Sequence, residues 1–581
     1  MLAHRNAIFG EDAMAKQERT HDLKRKRAAV AAAFALLLAA GTGLGGCALG
    51  GANTQLGSAS SAEMAGSAAG AGSGYFDEPL PFPSGEGDPF NTEEYASLDE
   101  PGFVATAARP LSTLSADADT ASYANLRRIV RNGAAPADIP AGAIRTEELL
   151  NYFDYGYAPP AGDDLFGLSA QMADCPWNPD TKLLVMGFAT RDLLPAETER
   201  GANLVFLIDT SGSMGEPDKL LLLQDAFAKL TDQLAARDTV SIVTYASGER
   251  VVLEGASGAD KGRILRAIRS LHAEGSTNGE AGLEMAYRVA RDHFIEGGTN
   301  RIVMASDGDL NVGMTSESDL HDYVDAQRAT GVRLSVLGFG GGNYKDNKME
   351  VLADHGNGSY HYIDCIAEAE RVFGRNLCAN LEPLADDVKV QVEFNPAEVK
   401  GYRLIGYENR ALADEEFRGD AADAGEIGPG HAFTVAFEVV PADSSFPIDA
   451  PDLRYGEGGG ASGGGQAAAS AGEWLTCTLR YRSAATGATA EQTLAVGASA
   501  LAAEPDADWR FAAAVIEGSM VLRHSPHAGT STFASAQALA EGAAGTDPAR
   551  AEFARLLETV ASRDDRAARP GNARYGHASP R

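Results

Sequence analysis

Asp209, Ser211 and Ser213 stand at alternate positions directly behind the apolar run Leu204, Val205, Phe206, Leu207 and Ile208. A continuous apolar run of that length reads as a strand buried on both faces, and the small polar residues after it read as a turn. Oxygen donors spaced in this way can converge on one hard cation such as Mg²⁺, which prefers carboxylate, hydroxyl and water oxygens. The chemistry suggested is therefore metal binding through neutral hydroxyls and few charges.

The pattern D-x-S-x-S resembles the first segment of a metal-ion-dependent adhesion site, which defines the von Willebrand factor type A (VWA) family. The resemblance implies two further loops at the same end of a sheet. Gly275-Ser276-Thr277-Asn278-Gly279 fits the second and offers Thr277. Ala305-Ser306-Asp307-Gly308-Asp309 follows an apolar run, fits the third and offers Asp307. In that family, the hydroxyls at the positions of Ser211, Ser213 and Thr277 bind the metal directly. The carboxylates at the positions of Asp209 and Asp307 usually act through water. The cofactor so implied is Mg²⁺, or else Mn²⁺ or Ca²⁺, with an open position that an acidic residue of a partner protein fills. The plain alternative is a Ser/Gly-rich turn that binds nothing. Asp309 has only a fragment of calcium-loop spacing and is not counted as a ligand.

Positioning these groups requires an alternation of strands and helices. Strands are expected at 203–208, 239–245, 250–253, 301–305, 333–337 and 359–363. Leu223, Phe227, Leu230 and Leu234 repeat as one apolar helical face between the first two. Such alternation predicts an α/β fold with a doubly wound, mostly parallel sheet, as the VWA resemblance also implies. Ligands of these sheets sit beyond the carboxyl ends of the strands, where the strand order reverses, and Asp209 and Asp307 both follow strands directly.

This unit, residues 201–381, interrupts segments of different pattern. Residues 161–200 and 382–505 carry alternating strand-like runs, such as Val388, Val390, Val392 and Phe394. They are expected to form one antiparallel β domain into which the α/β unit is inserted, with a mobile Gly-rich loop at 455–472. Helical regions are expected at 91–160 and 506–562. The first contains helices at 119–132 and 146–153. The second contains Trp509, Ala513, Ile516 and Met520 on one face, and Asp547-Pro548 as the start of a helix. The polar tail 563–581 is expected to be disordered. A chain of 581 residues calls for several domains, since single cores stop growing at roughly 250–300 residues.

The amino terminus reads as an export signal. Lys24-Arg25-Lys26-Arg27 precedes an apolar stretch at 28–40, too short to span a bilayer comfortably, and Met14 is a candidate start. Leu44-Gly45-Gly46-Cys47 resembles the lipobox of bacterial lipoproteins, in which the Cys is lipidated, so 1–47 is taken as signal and lipobox with Cys47 as the lipidation site. The alternative is an ordinary signal peptide with an incidental Cys. Residues 48–90, Gly/Ala/Ser-rich at first, are expected to form a flexible tether. The expected location is a bacterial cell envelope, lipid-anchored and extracytoplasmic. The net charge of −32 argues against nucleic-acid binding, which needs Lys and Arg to neutralise phosphates. Of the remaining cysteines, Cys365 and Cys378 flank an expected helix at 366–381, too long for a bridge. Cys175 with Cys477 is the more plausible pair.

Enzymatic readings fare worse. A phosphatase of the haloacid dehalogenase type needs a second Asp where Ser211 stands, and no lysine with an obvious role follows. A serine hydrolase elbow does not fit Ser211-Gly212-Ser213-Met214-Gly215. His272 and His293 read as surface or packed residues. Gly338-Phe339-Gly340-Gly341-Gly342-Asn343 superficially matches a dinucleotide loop with Asp364 behind it, but a tight β–α connection explains it more simply. Residues 111–125, Cys175-Pro176-Trp177-Asn178-Pro179, residues 306–313 and the block from Trp509 to about 561 resemble motifs of YfbK-like bacterial VWA lipoproteins. The expectation is a non-enzymatic envelope lipoprotein that binds another protein through a Mg²⁺ site. The alternatives are a structural component with a stabilising metal or, further off, a Mg²⁺-dependent phosphatase-like enzyme.

Overall fold

In a computed structural model, residues 92–192, 200–308, 317–375, 383–419, 424–448 and 472–568 are described. All of them fall in the larger of two units, Glu78–Arg581. Cys47, the tether at 48–90, Asp309, Cys378 and the Gly-rich loop up to residue 471 lie outside the described residues.

The chain enters through two short strands, β1 (Val104–Ala105) and β2 (Leu111–Ser115), and two helices, α1 (Ala121–Arg131) and α2 (Thr146–Asn151). The hairpin β3 (Phe166–Asp174) and β4 (Lys182–Thr190) follows. Next comes the α/β unit: β5 (Ala202–Asp209), α3 (Leu222–Gln233), β6 (Thr239–Tyr245), β7 (Glu249–Ser257), α4 (Lys261–Arg269), α5 (Gly279–Asp292), β8 (Thr299–Ser306), α6 (Glu317–Arg328), β9 (Arg333–Phe339), α7 (Asp346–His355), β10 (Tyr360–Ile363) and α8 (Ile366–Glu370). The chain returns through β11 (Ala385–Phe394), β12 (Val399–Ile405), β13 (Ala411–Leu412), β14 (Gly425–Ile427), β15 (Ala432–Pro441), β16 (Glu473–Ser483) and β17 (Thr489–Gly497). It ends in α9 (Ala507–Leu522), α10 (Phe533–Ala543) and α11 (Pro548–Ala568).

The α/β sheet has the order β10-β9-β8-β5-β6-β7. Only β7 runs antiparallel. Successive side chains of β5 face opposite layers, as strand geometry dictates. Leu204, Phe206 and Ile208 pack on Leu223, Phe227 and Leu230 of α3, whereas Val205 and Leu207 pack with Leu283, Ala286 and Tyr287 of α5. That second layer also takes Ala121 and Ala124 of α1, a helix outside the α/β segment. The order reverses at β5, between β6 and β8, so the carboxyl ends of β5 and β8 are where such a sheet places its ligands.

The flanking strands build two antiparallel sheets, β1-β12-β15-β4-β3 and β13-β2-β11-β16-β17. β4, before the α/β unit, pairs along its length with β15, after it. The α/β unit is thus inserted in the antiparallel β region. The two sheets meet through Met186, Phe188, Phe433, Val390, Val392 and Leu479. The helices α1, α2, α9, α10 and α11 share a further core with Leu183 and Val185 of β4.

Several expectations are corrected. The region 91–160 is not wholly helical, because β2 pairs with β11 and Leu114 is buried between the sheets. Cys175 and Cys477 are both free: Cys175 lies in the helical core and Cys477 between the sheets. Of the helix expected at 366–381, the described part consists of α8 and a π turn at Arg371–Arg375; residues 376–381 lie outside the described residues. The polar tail does not begin at 563, since α11 runs to Ala568 and Arg563 donates to Ala134 O at 3.0 Å. Among the described residues, no helix is long and apolar enough to cross a membrane.

Candidate metal centre

Asp209 ends β5 and is completely buried. Its Oδ1 accepts the backbone N–H of Ser211 at 2.8 Å, which fixes the turn that follows. Ser211 stays extended and buried, and a short 3₁₀ turn, Gly212–Gly215, carries Ser213 back to it. The two hydroxyls then lie 3.0 Å apart. The alternate spacing seen in the sequence thus does bring Asp209, Ser211 and Ser213 together.

The loop with Thr277 is bound to this turn by backbone. Gly212 N donates to Gly275 O at 3.0 Å and Glu274 N donates to Thr210 O at 2.7 Å. Gly275 adopts φ +80°, and a Cβ there would stand 2.3 Å from Ser247 Oγ, so glycine is required. Asn278 caps α5, which fixes the buried Thr277 immediately ahead of that helix.

Asp307 follows β8 directly and is also completely buried. Ser306 Oγ donates to Asp209 Oδ2 at 3.0 Å, and Gly308 N donates to Ser306 Oγ at 2.9 Å. A fourth loop completes the group. Lys219 Nζ donates to Asp307 Oδ2 at 3.0 Å and to Asn343 Oδ1 at 3.0 Å. Ser306 and Asn343 stand in sequence motifs that give them no part in the site, and the expectation that no lysine with an obvious role follows Asp209 is corrected by Lys219. Ser306 was signalled only by its place as a small polar residue between strand and Asp307. Lys219 follows Asp209 closely, in the helical turn Pro217–Leu221, but Asp307 and Asn343 are far from it in sequence, and no spacing links the three.

Two buried carboxylates side by side are costly. Burial above all, and then the neighbouring charge of Asp307, push the Asp209 carboxyl up to about 7. The cluster therefore favours a cation. Its donors are carboxylate and hydroxyl oxygens, the set that suits Mg²⁺, Mn²⁺ or Ca²⁺. Among the described residues no three His, Cys, Asp or Glu side chains gather as a metal site of their own. Two carboxylates and three hydroxyl residues would be an oxygen-donor set of a different kind, and the buried ammonium of Lys219 lies against one of the two carboxylates.

The other sequence candidates resolve simply. Gly340 and Gly342 take positive φ, and Gly342 N donates to Glu93 Oε1 at 2.7 Å, so this loop is closed by the chain itself. Asp364 is engaged by Arg127 at 2.8 Å and by Arg131 at 3.2 Å. His272 is exposed, and His293 Nε2 lies 3.4 Å from Glu254 Oε1.

Comparison with known proteins follows the same divisions. The family model for the von Willebrand factor type A domain matches residues 203–372, and one described as von Willebrand factor matches 89–185. A model for the C-terminal part of the uncharacterized protein YfbK matches 379–562. The uncharacterized protein YfbK of Escherichia coli (strain K12) is 40% identical over 476 residues, covering 80% of this chain and 81% of that protein. Inter-alpha-trypsin inhibitor heavy chain H3 of Mus musculus is 28% identical over 203 residues, which is 33% of this chain and only 22% of that protein. Among solved structures, von Willebrand factor type A from Catenulispora acidiphila aligns at a TM-score of 0.36 with 16% identity, over 69% of this chain and 87% of that one.

Proposed function

Since this chain belongs to the YfbK family of VWA-domain proteins, we propose that it is a non-enzymatic binding protein that captures another protein through a divalent cation. The observation that carries the proposal is the convergence of buried Asp209 and Ser211 and half-buried Ser213 with buried Asp307 at the switch point of the sheet. Ser211, Ser213 and Thr277 would offer hydroxyls to a Mg²⁺ ion, and Asp209 and Asp307 would offer carboxylates. The bound ion supplies a hard, positively charged centre that prefers an anionic oxygen. Uncharged hydroxyls leave much of its charge unneutralised, so an Asp or Glu of the partner is the natural remaining ligand. The protein's own residues hold the three loops in register through Gly212–Gly275, Glu274–Thr210 and Ser306–Asp209 hydrogen bonds.

The same proposal places the molecule in a bacterial envelope, outside the cytoplasm, held by lipid on Cys47. It rests there on the basic stretch, the short apolar segment and Leu44-Gly45-Gly46-Cys47. Cys47→Ser should abolish lipid labelling and release the protein from membranes; full retention of that variant would place the anchor elsewhere. The binding reading is tested by capture from envelope extract in Mg²⁺ and in EDTA, with wild type and Ser211→Ala. Partner capture should require both Mg²⁺ and Ser211. Equal capture in EDTA would leave the ion a stabilising role only.

A further inference from the structure

Lys219 is held like a structural part of the centre. It lies in the turn Pro217–Leu221 ahead of α3, and its side chain is 5% exposed. Its ammonium reaches Asp307 Oδ2 and Asn343 Oδ1, each at 3.0 Å. Its stem runs over Gly340, which has φ +69°, and a Cβ on Gly340 would stand 2.3 Å from Lys219 Cε. A glycine is therefore needed to let the stem pass. Three separate segments fix one amino group against one of the carboxylates that would serve a metal. A flexible surface lysine would not be built this way.

We propose that Lys219 is an internal cation of the metal centre that weakens divalent-ion binding and makes the loaded centre seek an anion. The inference rests on the metal-dependent reading above. With both carboxylates ionised, Asp209, Asp307 and Lys219 together carry a single net negative charge. A divalent ion turns this into a single net positive charge. Without Lys219 the same ion would be neutralised by the two carboxylates, and the demand for a partner's carboxylate would fall. Lys219 thus trades metal affinity for anion affinity, two effects of opposite sign that a merely structural lysine would not produce. Asn343 and Gly340 are the residues that position it.

The experiment uses the full chain with Mn²⁺, followed by electron paramagnetic resonance, and acetate as the anion probe on the Mn²⁺-loaded protein. Wild type is compared with Lys219→Met, which keeps the stem without the charge, and with Lys219→Arg, which keeps the charge. Lys219→Met should bind Mn²⁺ at least about tenfold more tightly, because a like charge has been removed from beside the ion. Its loaded form should bind acetate several-fold more weakly. Lys219→Arg should stay closer to wild type in both. In EDTA the Met variant should melt lower than wild type, and Mg²⁺ should raise its melting temperature by more. Lys219→Gln repeats the test if the Met variant does not fold. Mn²⁺ affinity equal to or below wild type in the uncharged variants overturns the inference while leaving the metal reading intact, and unchanged acetate affinity overturns its anion half. No Mn²⁺ binding by either wild type or the uncharged variants would overturn both.

Discussion

Ser306 Oγ donates to Asp209 Oδ2 at 3.0 Å, joining the ends of two neighbouring parallel strands. The register explains the contact: Ile208 lies opposite Ala305, so the next residue on each strand stands at the same level. The bond favours the ionised form of Asp209 and fixes which way its carboxylate faces.

Ser306→Ala should therefore reduce Mn²⁺ affinity by roughly tenfold, as loss of an outer hydrogen bond does at metal centres. The fold should lose only about 1–2 kcal/mol, read by urea unfolding in EDTA. Unchanged affinity would mean that Asp209 is oriented by other contacts.

A second prediction concerns pH. Burial and the neighbouring Asp307 push the folded Asp209 carboxyl up to about 7, well above the usual carboxylate range. The folded chain therefore holds a proton that the unfolded chain has released. The contribution of this group to stability is full below about 4 and is lost as pH rises towards 7. A cation prefers the ionised carboxylate, so the rise in melting temperature with Mg²⁺ should be small at pH 5.5 and larger at pH 8. Asp209→Asn should raise the melting temperature in EDTA at pH 8 and abolish the response to Mg²⁺. An equal Mg²⁺ response at both pH values in wild type would contradict the assignment.

A third concerns the seam between the amino-terminal region and the α/β unit. Buried Arg145 lies 2.7 Å from Glu148, 2.8 Å from Asp346 and 2.6 Å from Glu350, the last two on α7. Removing the guanidinium would leave three carboxylates buried without their counter-charge. Arg145→Leu should cost about 3–5 kcal/mol by chemical denaturation. A loss below about 1 kcal/mol would show that the carboxylates take up protons or repack instead.

The parts of this fold that were legible in the sequence share a physical character. Strands β5, β8 and β9 are buried on both faces and so appear as apolar runs. Asp209, Ser211 and Ser213 are close in space because they are close in sequence. The remainder depends on contacts made at a distance. Leu111-Ser112-Thr113-Leu114-Ser115 has too little alternation to be told from a loop, and it becomes β2 through pairing with β11 and β13. The polar end of α11 is held by Arg563 at the carbonyls of Val130 and Ala134. Lys219 meets Asp307 and Asn343 only when three loops gather at the sheet's end. The pairing of Cys175 with Cys477 failed because strand-like neighbours reveal nothing about which core a strand's side chain enters.

The central claim is that Asp209, Ser211, Ser213, Thr277 and Asp307 hold one divalent cation. Titration of the purified chain with Mn²⁺, in wild type and in Ser211→Ala, tests it most directly. Wild type should bind a single Mn²⁺ that Mg²⁺ displaces, and at a hundredfold excess over Kd the ion should add about 2.7 kcal/mol of stability. Ser211→Ala should lose that binding while its circular dichroism and its melting in EDTA stay those of wild type, because the substitution lies in a loop beyond the sheet. A wild-type chain that binds no Mn²⁺ at millimolar concentration, or a Ser211→Ala variant that binds it undiminished, would contradict the account.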